Sequence, residues 1–290
     1  MNRRQFVAAT AAAPFASALT PRRKIACISS TYHVRSHSDN FITRFLEGYW
    51  IHEKHYDAPF EVASLWMDQI HPGDIGHRLA AAYHFPVTRN IEEALTLGTG
   101  KLAVDGVVIV CEHGEYPRTP RGNFMYPRKK RFDEVTAEFA RAGRVLPLMN
   151  DKYFAYEWAD AKAMYDRVKR DRIPFFCGSS LPLTWRRPAL EFQRGIELDE
   201  VLAVSFSDLE EHGYHAIELL QAMAEKRNRG ETGIAEIRCV EGDAVFTDKF
   251  WSRDLLEEAL KHRVNHVPKN NAAPQAIFIR YKDGLKASIL

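Results

Sequence analysis

Three residues have the chemistry and the spacing to act on a hydroxyl group. Glu211 and His215 stand four positions apart, so on a helix they would share one face and the carboxylate could orient the imidazole ring. A histidine held in this way can accept a proton from a hydroxyl group. Lys152 follows a predicted strand and could stabilise negative charge that develops on oxygen. A helix-start Glu–His pair and a lysine that reaches out of a loop are the structural alternatives, and the sequence leaves them open.

A second set of polar residues follows other predicted strands and is our candidate cofactor site. Its members are Ser29, Ser30, Thr31 and Tyr32 after the first strand, Asp68 after the second, and Glu112 and His113 after the fourth. Ligands of open parallel sheets bind beyond the carboxyl ends of the strands, and Asp68 stands where an acid would bind a ribose diol. The first of these loops contains no glycine, which argues against the close approach of a pyrophosphate.

Three further motifs carry weaker hypotheses. Trp185 and Arg186 could bind a sugar ring by stacking and hydrogen bonding, although core packing would explain them equally well. His52 and His55 have no evident third ligand, so we predict no metal site. A long segment after the fourth strand interleaves basic and aromatic residues up to Arg131. We interpret this segment as a substrate lid or a subunit contact.

The elements that must position these residues alternate between strands and helices. The predicted strands are unalternating apolar runs at residues 24–28, 60–67, 106–111, 145–149 and 174–178, with a short third segment at Pro86-Val87. The predicted helices lie at residues 41–46, 75–85, 91–97, 132–142 and 156–170. This pattern predicts an α/β fold, with an N-terminal Rossmann-like doubly wound parallel sheet over residues 22–178.

The pattern changes after residue 178. A strand at residues 198–206 and a helix at 213–225 precede two predicted hairpins, at 234–250 and 276–290. Residues 179–290 are therefore predicted to form a smaller α+β domain with antiparallel strands, which binds substrate or a second subunit.

Composition excludes several classes of protein. The 290 residues are 46% hydrophobic and 27% charged, which suits a globular chain with a real core. Removal of residues 1–18 would take Arg3 and Arg4 from the 40 basic residues, and the remaining 38 would equal the 38 acidic ones. A neutral mature chain has no global attraction for nucleic acid or anionic lipid, and no apolar run is long enough for a stable membrane span.

The N-terminus has the outline of an export signal. Arg3 and Arg4 precede an alanine-rich apolar stretch that ends in Ala16-Ser17-Ala18. The paired arginines resemble a twin-arginine signal, which exports folded proteins. We therefore expect residues 1–18 to be removed and the protein to be periplasmic or otherwise exported. Of the four cysteines, Cys27, Cys111 and Cys177 are expected to be buried free thiols.

Four segments of the central chain form a recognisable series: the strand at 104–110, a helix ending Ala142-Gly143, the Asn150-Asp151-Lys152 segment and a helix through Ala161 and Met164. In these segments the chain resembles the glucose–fructose oxidoreductase and inositol dehydrogenase (Gfo/Idh/MocA) family. In that family a Glu-Lys-Pro motif places its lysine at the nicotinamide and the sugar. Here the motif is Asp151-Lys152-Tyr153, with a shorter acid and no proline, and Glu211 to His215 resembles the family's Asp-x-x-x-His.

This resemblance covers about residues 24–225 and implies an oxidoreductase that uses NAD or NADP on a sugar, cyclitol or glycoside. It implies Lys152 and His215 as catalytic residues, Glu211 as the orienting acid, and a homo-oligomer. The second domain is short for the family, so the resemblance implies a trimmed or truncated chain. The alternative hypothesis is a family member that binds carbohydrate, or serves as an assembly subunit, without turning over NAD(P).

Overall fold

The computed structural model describes residues 22–205, 209–262 and 273–290. The first domain contains the strands β1 (Arg23–Ser29), β2 (Tyr49–Ile51), β3 (Lys54–Tyr56), β4 (Phe60–Met67), β5 (Gly106–Val110), β6 (Leu148–Asp151) and β7 (Phe175–Gly178). Its helices are α1 (His37–Glu47), α2 (Gly76–Tyr83), α3 (Ile91–Thr96), α4 (Arg128–Ala142) and α5 (Trp158–Asp171). The predicted export signal lies outside the described residues.

The main sheet is parallel throughout, with the strand order β4-β1-β5-β6-β7. Val87 adds a one-residue parallel bridge to Leu65 on the outer side of β4, where the sequence predicts a short third strand. Chain order therefore reverses beside β1, and its neighbour β5 starts the second half of the sheet. The predicted Rossmann-like α/β class is confirmed, and the crevice where ligands bind in such sheets lies beyond the ends of β1 and β5.

Apolar side chains cover both faces of the sheet. On one face Ile28 and Ile109 pack with Phe132 and Phe139 of α4. On the other face Cys27 lies in a cluster with residues of α1 and α2. All five residues of β5 are buried, which explains why its sequence does not alternate. Strand β6 begins three residues later than predicted, because Pro147 has no N–H to donate and Val145 is partly exposed.

The second domain is a four-stranded mixed sheet with helices on both faces. Its strands are β8 (Glu200–Ala203), β9 (Ile234–Glu241), β10 (Gln275–Tyr281) and β11 (Lys286–Ile289), in the order β8-β11-β10-β9. Its helices are α6 (Tyr214–Ala224), α7 (Ala244–Thr247) and α8 (Arg253–Lys261). A 3₁₀ turn at Leu181–Leu183 and a π-helical turn at Leu209–Gly213 precede α6.

One of the two predicted hairpins is wrong. Strands β10 and β11 pair as predicted, but Ala244–Thr247 is a helical turn, and β9 pairs with β10 instead. The turn buries Val245 beside Trp251, whose indole N–H donates to the Val245 carbonyl at 2.9 Å. Burial of these side chains against Phe278 outweighs the strand propensity of the segment.

Two of the three cysteines predicted to be buried are buried, and the prediction for Cys177 is wrong. Cys27 and Cys111 are buried free thiols as predicted, whereas Cys177 is partly exposed and Cys239 is exposed. Among the described residues, no helix combines the length and the apolar character that a bilayer span requires.

Candidate functional site

A cavity of about 550 Å³ opens at the carboxyl edge of the parallel sheet, between the two domains. Among its lining residues are five that the sequence predicts as site residues: Glu112, His113, Lys152, Glu211 and His215. The two proposed catalytic residues, Lys152 from the end of β6 and His215 from the start of α6, thus line one cavity. Their catalytic roles stay predictions.

A buried carboxylate that lies between two cations lines this cavity. Glu112 follows β5, and its Oε1 accepts from Lys152 Nζ at 2.8 Å. Its Oε2 accepts from Arg128, the first residue of α4, whose side chain is fully buried. The Arg128 guanidinium stacks 4.1 Å from the centroid of the Tyr153 ring. Glu112, predicted to bind cofactor, is therefore part of the support that holds Lys152 in place.

The electrostatics of this trio favour the ionised carboxylate. Burial alone would raise the pKa of Glu112, but Arg128 and Lys152 together hold that pKa below its ordinary value of 4.5. With Glu112 ionised, the trio of Arg128, Glu112 and Lys152 carries one net positive charge. Glu112 and Lys152 line the cavity, so the cation of the trio that a ligand would meet is the Lys152 ammonium.

Two residues at the cavity hold left-handed backbone conformations although neither is glycine. Lys152 has φ 63° and His113 has φ 67°. Such a conformation costs a non-glycine residue roughly 1–2 kcal/mol. The backbone N–H of Lys152 donates to the Gly178 carbonyl at 3.2 Å, which ties the turn to β7. Strain of this kind is found at sites where function fixes the direction of a side chain.

His215 has Ser179 as a hydrogen-bond partner, and the orienting role of Glu211 stays a prediction. Residues 209–213 form a π-helical turn, so the α-helical spacing argument that placed Glu211 beside His215 does not apply across it. Glu211 lines the same cavity, while the ring Nδ1 of His215 lies 2.5 Å from Ser179 Oγ. Burial, followed by repulsion from Lys152, lowers the pKa of His215 to about 4.

The predicted cofactor residues after β1 turn their side chains into the protein. Ser29 bonds to Ser38 and to the Thr31 carbonyl, and Ser30 donates to the Glu112 carbonyl at 2.7 Å. The hydroxyl of Tyr32 is 2.7 Å from Thr43 Oγ1 in α1. These side chains position the β1–α1 loop.

Asp68 also has partners within the protein. Its Oδ1 accepts from Arg131 at 2.7 Å, and its Oδ2 accepts from the hydroxyl of Tyr116 at 2.7 Å. A ribose diol at this carboxylate would compete with Tyr116, which belongs to the long segment after β5. For a dinucleotide, the residues present thus offer the start of α1 and the Asp68 carboxylate, with Tyr116 as the group to displace.

The basic and aromatic segment after β5 makes hydrogen bonds to the second domain. The backbone N–H of Phe124 and the side-chain amide of Asn123 donate to the carboxylate of Glu210 at 2.8 and 2.7 Å. Glu210 belongs to the π-helical turn before α6, and Phe124 lines the cavity. This placement suits the predicted lid, and Glu210 is a residue that sequence reasoning missed.

Four histidines at the cavity were also missed. We call the six cavity histidines the imidazole cluster: His33, His37, His71, His113, His212 and His215. The rings of His33 and His71 stack with centroids 4.1 Å apart, and that of His113 lies 5.2 Å from His37. Burial, and repulsion from His37, lower the pKa of His113. The spacing His33-x-x-x-His37, directly after the first strand, was the available signal.

The described residues show no group of three His, Cys, Asp or Glu side chains arranged to hold a metal ion. The imidazole cluster contains a different arrangement. His37 places its Nδ1 2.6 Å from Oδ2 of Asp151, whose carboxylate is buried at the end of β6.

Trp185 and Arg186 lie apart from the predicted catalytic residues. They line a second cavity of about 740 Å³, which shares no lining residue with the first. Trp185 stacks on His52, with ring centroids 5.7 Å apart. Arg186 binds Glu191 and the carbonyl of Pro182. The structure therefore does not bring these predicted substrate residues to Lys152.

Comparison with known proteins supports the architecture. No family model and no curated protein matches the chain. Among solved structures, GenD2 from gentamicin A biosynthesis, in complex with NAD, is 14% identical; the match covers 92% of this chain and 65% of that one, with a TM-score of 0.51. A protein of Bordetella bronchiseptica RB50 assigned as a dehydrogenase is 13% identical, with 92% and 60% coverage and a TM-score of 0.53.

These likenesses show the fold. It is the two-domain architecture, Rossmann-like and then α+β, that the resemblance to the Gfo/Idh/MocA family implies. The chain spans about 65% and 60% of the lengths of these two neighbours.

Proposed function

We propose that the protein is an NAD(P)-dependent oxidoreductase that transfers hydride between the nicotinamide and a hydroxyl carbon of a sugar, cyclitol or glycoside. One observation carries this proposal: Lys152 and His215, chosen from sequence, line the same cavity at the edge of a Rossmann-like sheet. GenD2, with a similar fold, was crystallised with NAD.

Lys152 is the residue best placed to act on the substrate oxygen. Its ammonium donates to Glu112, and among the described residues no acceptor is found for its other donors, which can bind a ligand in the cavity. A cation held in a partly buried site stabilises the negative charge that develops on oxygen as a hydroxyl is oxidised. When bound, the nicotinamide supplies the hydride acceptor, and the start of α1 and Asp68 are the residues that would hold the rest of the dinucleotide.

Calorimetric titration with NAD⁺, NADH, NADP⁺ and NADPH tests the cofactor. We expect one pair to bind, and we expect Asp68→Asn to weaken that binding. Glu134→Gln is the matched control, because Glu134 is the second carboxylate bound to Arg131 and is not a predicted ligand of the ribose. Absence of binding by all four nucleotides, in protein shown to be folded, would end the dehydrogenase proposal.

Turnover tests the roles of the two cavity residues. We expect Lys152→Ala and His215→Ala each to lower turnover while the protein stays folded, because both side chains contact the cavity. Retention of full turnover in both variants would contradict the assignment of the active site to this cavity.

A second function is favoured by the contacts of Asp68. Its bonds to Arg131 and Tyr116, and the glycine-free loop after β1, suit a protein that binds carbohydrate without a dinucleotide. Calorimetry with myo-inositol and D-glucose separates the two functions. Sugar binding in a protein that binds no NAD(P) would support this second function.

We further propose that the protein is exported through its N-terminal twin-arginine segment. The support is Arg3-Arg4 followed by an apolar stretch and Ala16-Ser17-Ala18. Cell fractionation of the natural chain and of an Arg3→Lys, Arg4→Lys variant is the test. Export that is unchanged in the variant would contradict this route.

A further inference from the structure

We propose that His37, held by the carboxylate of Asp151, is the proton acceptor of the imidazole cavity, which is the cavity of about 550 Å³ that the imidazole cluster lines. It accepts a proton from a hydroxyl group of a neutral, polyhydroxylated ligand. The transfer step rests on the proposed function, whereas the state of the His37 ring can be tested without it.

The position of His37 follows from the start of α1. Ser36 caps the helix, and its hydroxyl oxygen accepts from the N–H groups of Asp39 and His33, both at 3.2 Å. His37 is therefore the first helical residue, and its ring lies at the cavity with about a fifth of the side chain exposed.

Asp151 fixes the ring and its tautomer. The Asp151 side chain is 3% exposed, and its Oδ2 lies 2.6 Å from Nδ1 of His37. An ionised carboxylate only accepts hydrogen bonds, so Nδ1 must carry the proton that is donated. Nε2 of the neutral ring then carries the lone pair, which is the arrangement that prepares a histidine for base catalysis.

His215 is a poor candidate for the proton acceptor. Its pKa is lowered to about 4 by burial and by Lys152, whereas a general base works best with a pKa near the operating pH. The partner of its Nδ1 is Ser179, whose hydroxyl can donate or accept, so this contact does not fix the tautomer of the ring. The role of His215 in this scheme is to bind the ligand.

The charges around His37 disfavour an anionic ligand. The groups near it are Asp151 from β6, Glu112 and His113 after β5, Lys152, and His215 of α6, and the carboxylates of Glu115 and Glu211 line the same cavity. Glu112 and Asp151 offset the charges of Lys152 and the buried Arg128, so with neutral imidazoles Glu115 and Glu211 leave the cavity negative. Hydroxyl groups can both donate to and accept from such a wall.

The proposed step balances without another reagent. The O–H bond of the ligand breaks, its proton binds Nε2 of His37, and the electron pair of that bond forms the new carbonyl π bond. The hydrogen on the same carbon leaves with the electron pair of its C–H bond, as hydride, and the nicotinamide of the proposed function would accept it. Asp151, a positioning residue, stabilises the imidazolium that results.

Nitrogen-15 NMR of the histidine rings in the ligand-free protein tests the first part. We expect the neutral His37 ring, assigned from its loss in His37→Gln, to carry its proton on Nδ1. His77 is the matched internal control, because its Nδ1 lies 2.9 Å from Asp74 in an exposed pair outside the cavity. A proton on Nε2 of His37 would overturn the proposal, whether or not NAD(P) binds.

The kinetics of variants test the second part. We expect His37→Gln to lower kcat by about 10²–10⁴-fold with little change in KM, and by more than His215→Gln does. His77→Gln should leave both constants unchanged. Asp151→Asn should lower kcat and move the acidic limb of the pH–rate profile to lower pH, because the imidazolium loses its counter-charge. Asp166→Asn, in an exposed pair with Lys162, should do neither.

These readouts separate the two proposals. If no nucleotide binds, the proposed function fails, and the tautomer of His37 still decides this inference. If turnover is found but His37→Gln retains full kcat, the assignment of His37 is overturned while the oxidoreductase stands.

Discussion

Two of the buried arginines, Arg128 and Arg227, have different surroundings. Arg227, after α6, bonds to Asp283 at 2.7 Å, to Thr232 and to the Ala224 carbonyl, and stacks on Tyr281. Arg128, at the start of α4, bonds to Glu112 and stacks on Tyr153, but its Nε and Nη1 find no partner among the described residues. Both are pairs of an arginine with a carboxylate. They differ in how many of the guanidinium N–H groups have a hydrogen-bond partner.

This difference indicates which pair is structural and which serves the site. Arg227 and Asp283 bond to each other, and this ion pair connects the β10–β11 turn to the end of α6. Glu112 instead divides its carboxylate between Arg128 and Lys152, and the latter lines the cavity. A buried polar network that is left incomplete is costly, and it is expected where function requires it.

The largest effect should come from Glu112→Gln. This change leaves Arg128 and Lys152 without their counter-charge, so we expect the free energy of unfolding to fall by about 3–5 kcal/mol. Urea denaturation measures it. Glu115→Gln, three residues along and exposed, is the control and should change the value by less than about 0.5 kcal/mol.

A smaller effect is expected from Asp283→Asn. Arg227 would keep the Ala224 carbonyl and Thr232, so the loss should be about 1–3 kcal/mol in the same measurement. Ligand binding in the imidazole cavity should not change, because Asp283 lies in the other domain. A loss larger than that of Glu112→Gln would reverse our ranking of the two pairs.

Acid should lower the free energy of unfolding through His215 and through the buried carboxylates in different pH ranges. The pKa of His215 is about 4 in the folded protein against an ordinary 6.5, so its contribution to stability is complete above pH 6.5 and is lost as the pH falls towards 4. For a half-buried ring we expect about 1 kcal/mol after allowance for solvent screening.

The carboxylates respond at lower pH. The pKa of Asp283 is lowered by its bond to Arg227, and that of Glu112 by its cations against the cost of burial. Their contributions are complete above the ordinary values of 3.8 and 4.5 and are lost below them. The free energy of unfolding of His215→Gln should therefore not fall between pH 6.5 and 4 in the way expected for the natural chain. The loss at lower pH, which comes from the carboxylates, should remain. An unchanged profile would contradict the lowered pKa.

The smallest effect is expected at a third arginine. Arg186 is largely buried, but its partner Glu191 is 66% exposed, so Arg186→Gln should cost at most about 1 kcal/mol. Because Arg186 lines the second cavity, affinity for ligands of the first should not change. A loss of that affinity on titration would restore the sequence hypothesis that Arg186 binds substrate.

Most of the main sheet could be predicted from sequence because its strands contain continuous apolar runs, as at Ile25–Ile28 and Val107–Val110, whereas the short strands β2 and β3 have no such run and were missed. The run at β5 has one consistent explanation, burial on both faces of a parallel sheet. Residues 244–250 combine the apolar run Ala244-Val245-Phe246 with polar residues and show no clear periodicity, so local pattern alone could not separate a strand from a helical turn. Contact with Trp251 and Phe278, distant in sequence from each other, decided the outcome.

The site was predictable only where a residue's position in its element determines its direction. Lys152 and His215 follow from a strand end and a helix start. Arg128 could not be found, because it begins a run of four basic residues, Arg128-Lys129-Lys130-Arg131, that is typical of solvent-exposed helix faces. The fold buries the first and the last of the four, one turn apart on the inner side of α4. His37 depends on Asp151, 114 residues away, which local sequence cannot show.

The left-handed backbone at Lys152 makes the choice of replacement informative. Alanine and glycine both remove the ammonium group, but only glycine adopts this conformation at no cost. The difference in stability between the two variants therefore isolates the strain of the turn, and the loss that they share reports the amine. One position can thus be used to weigh conformation and charge separately.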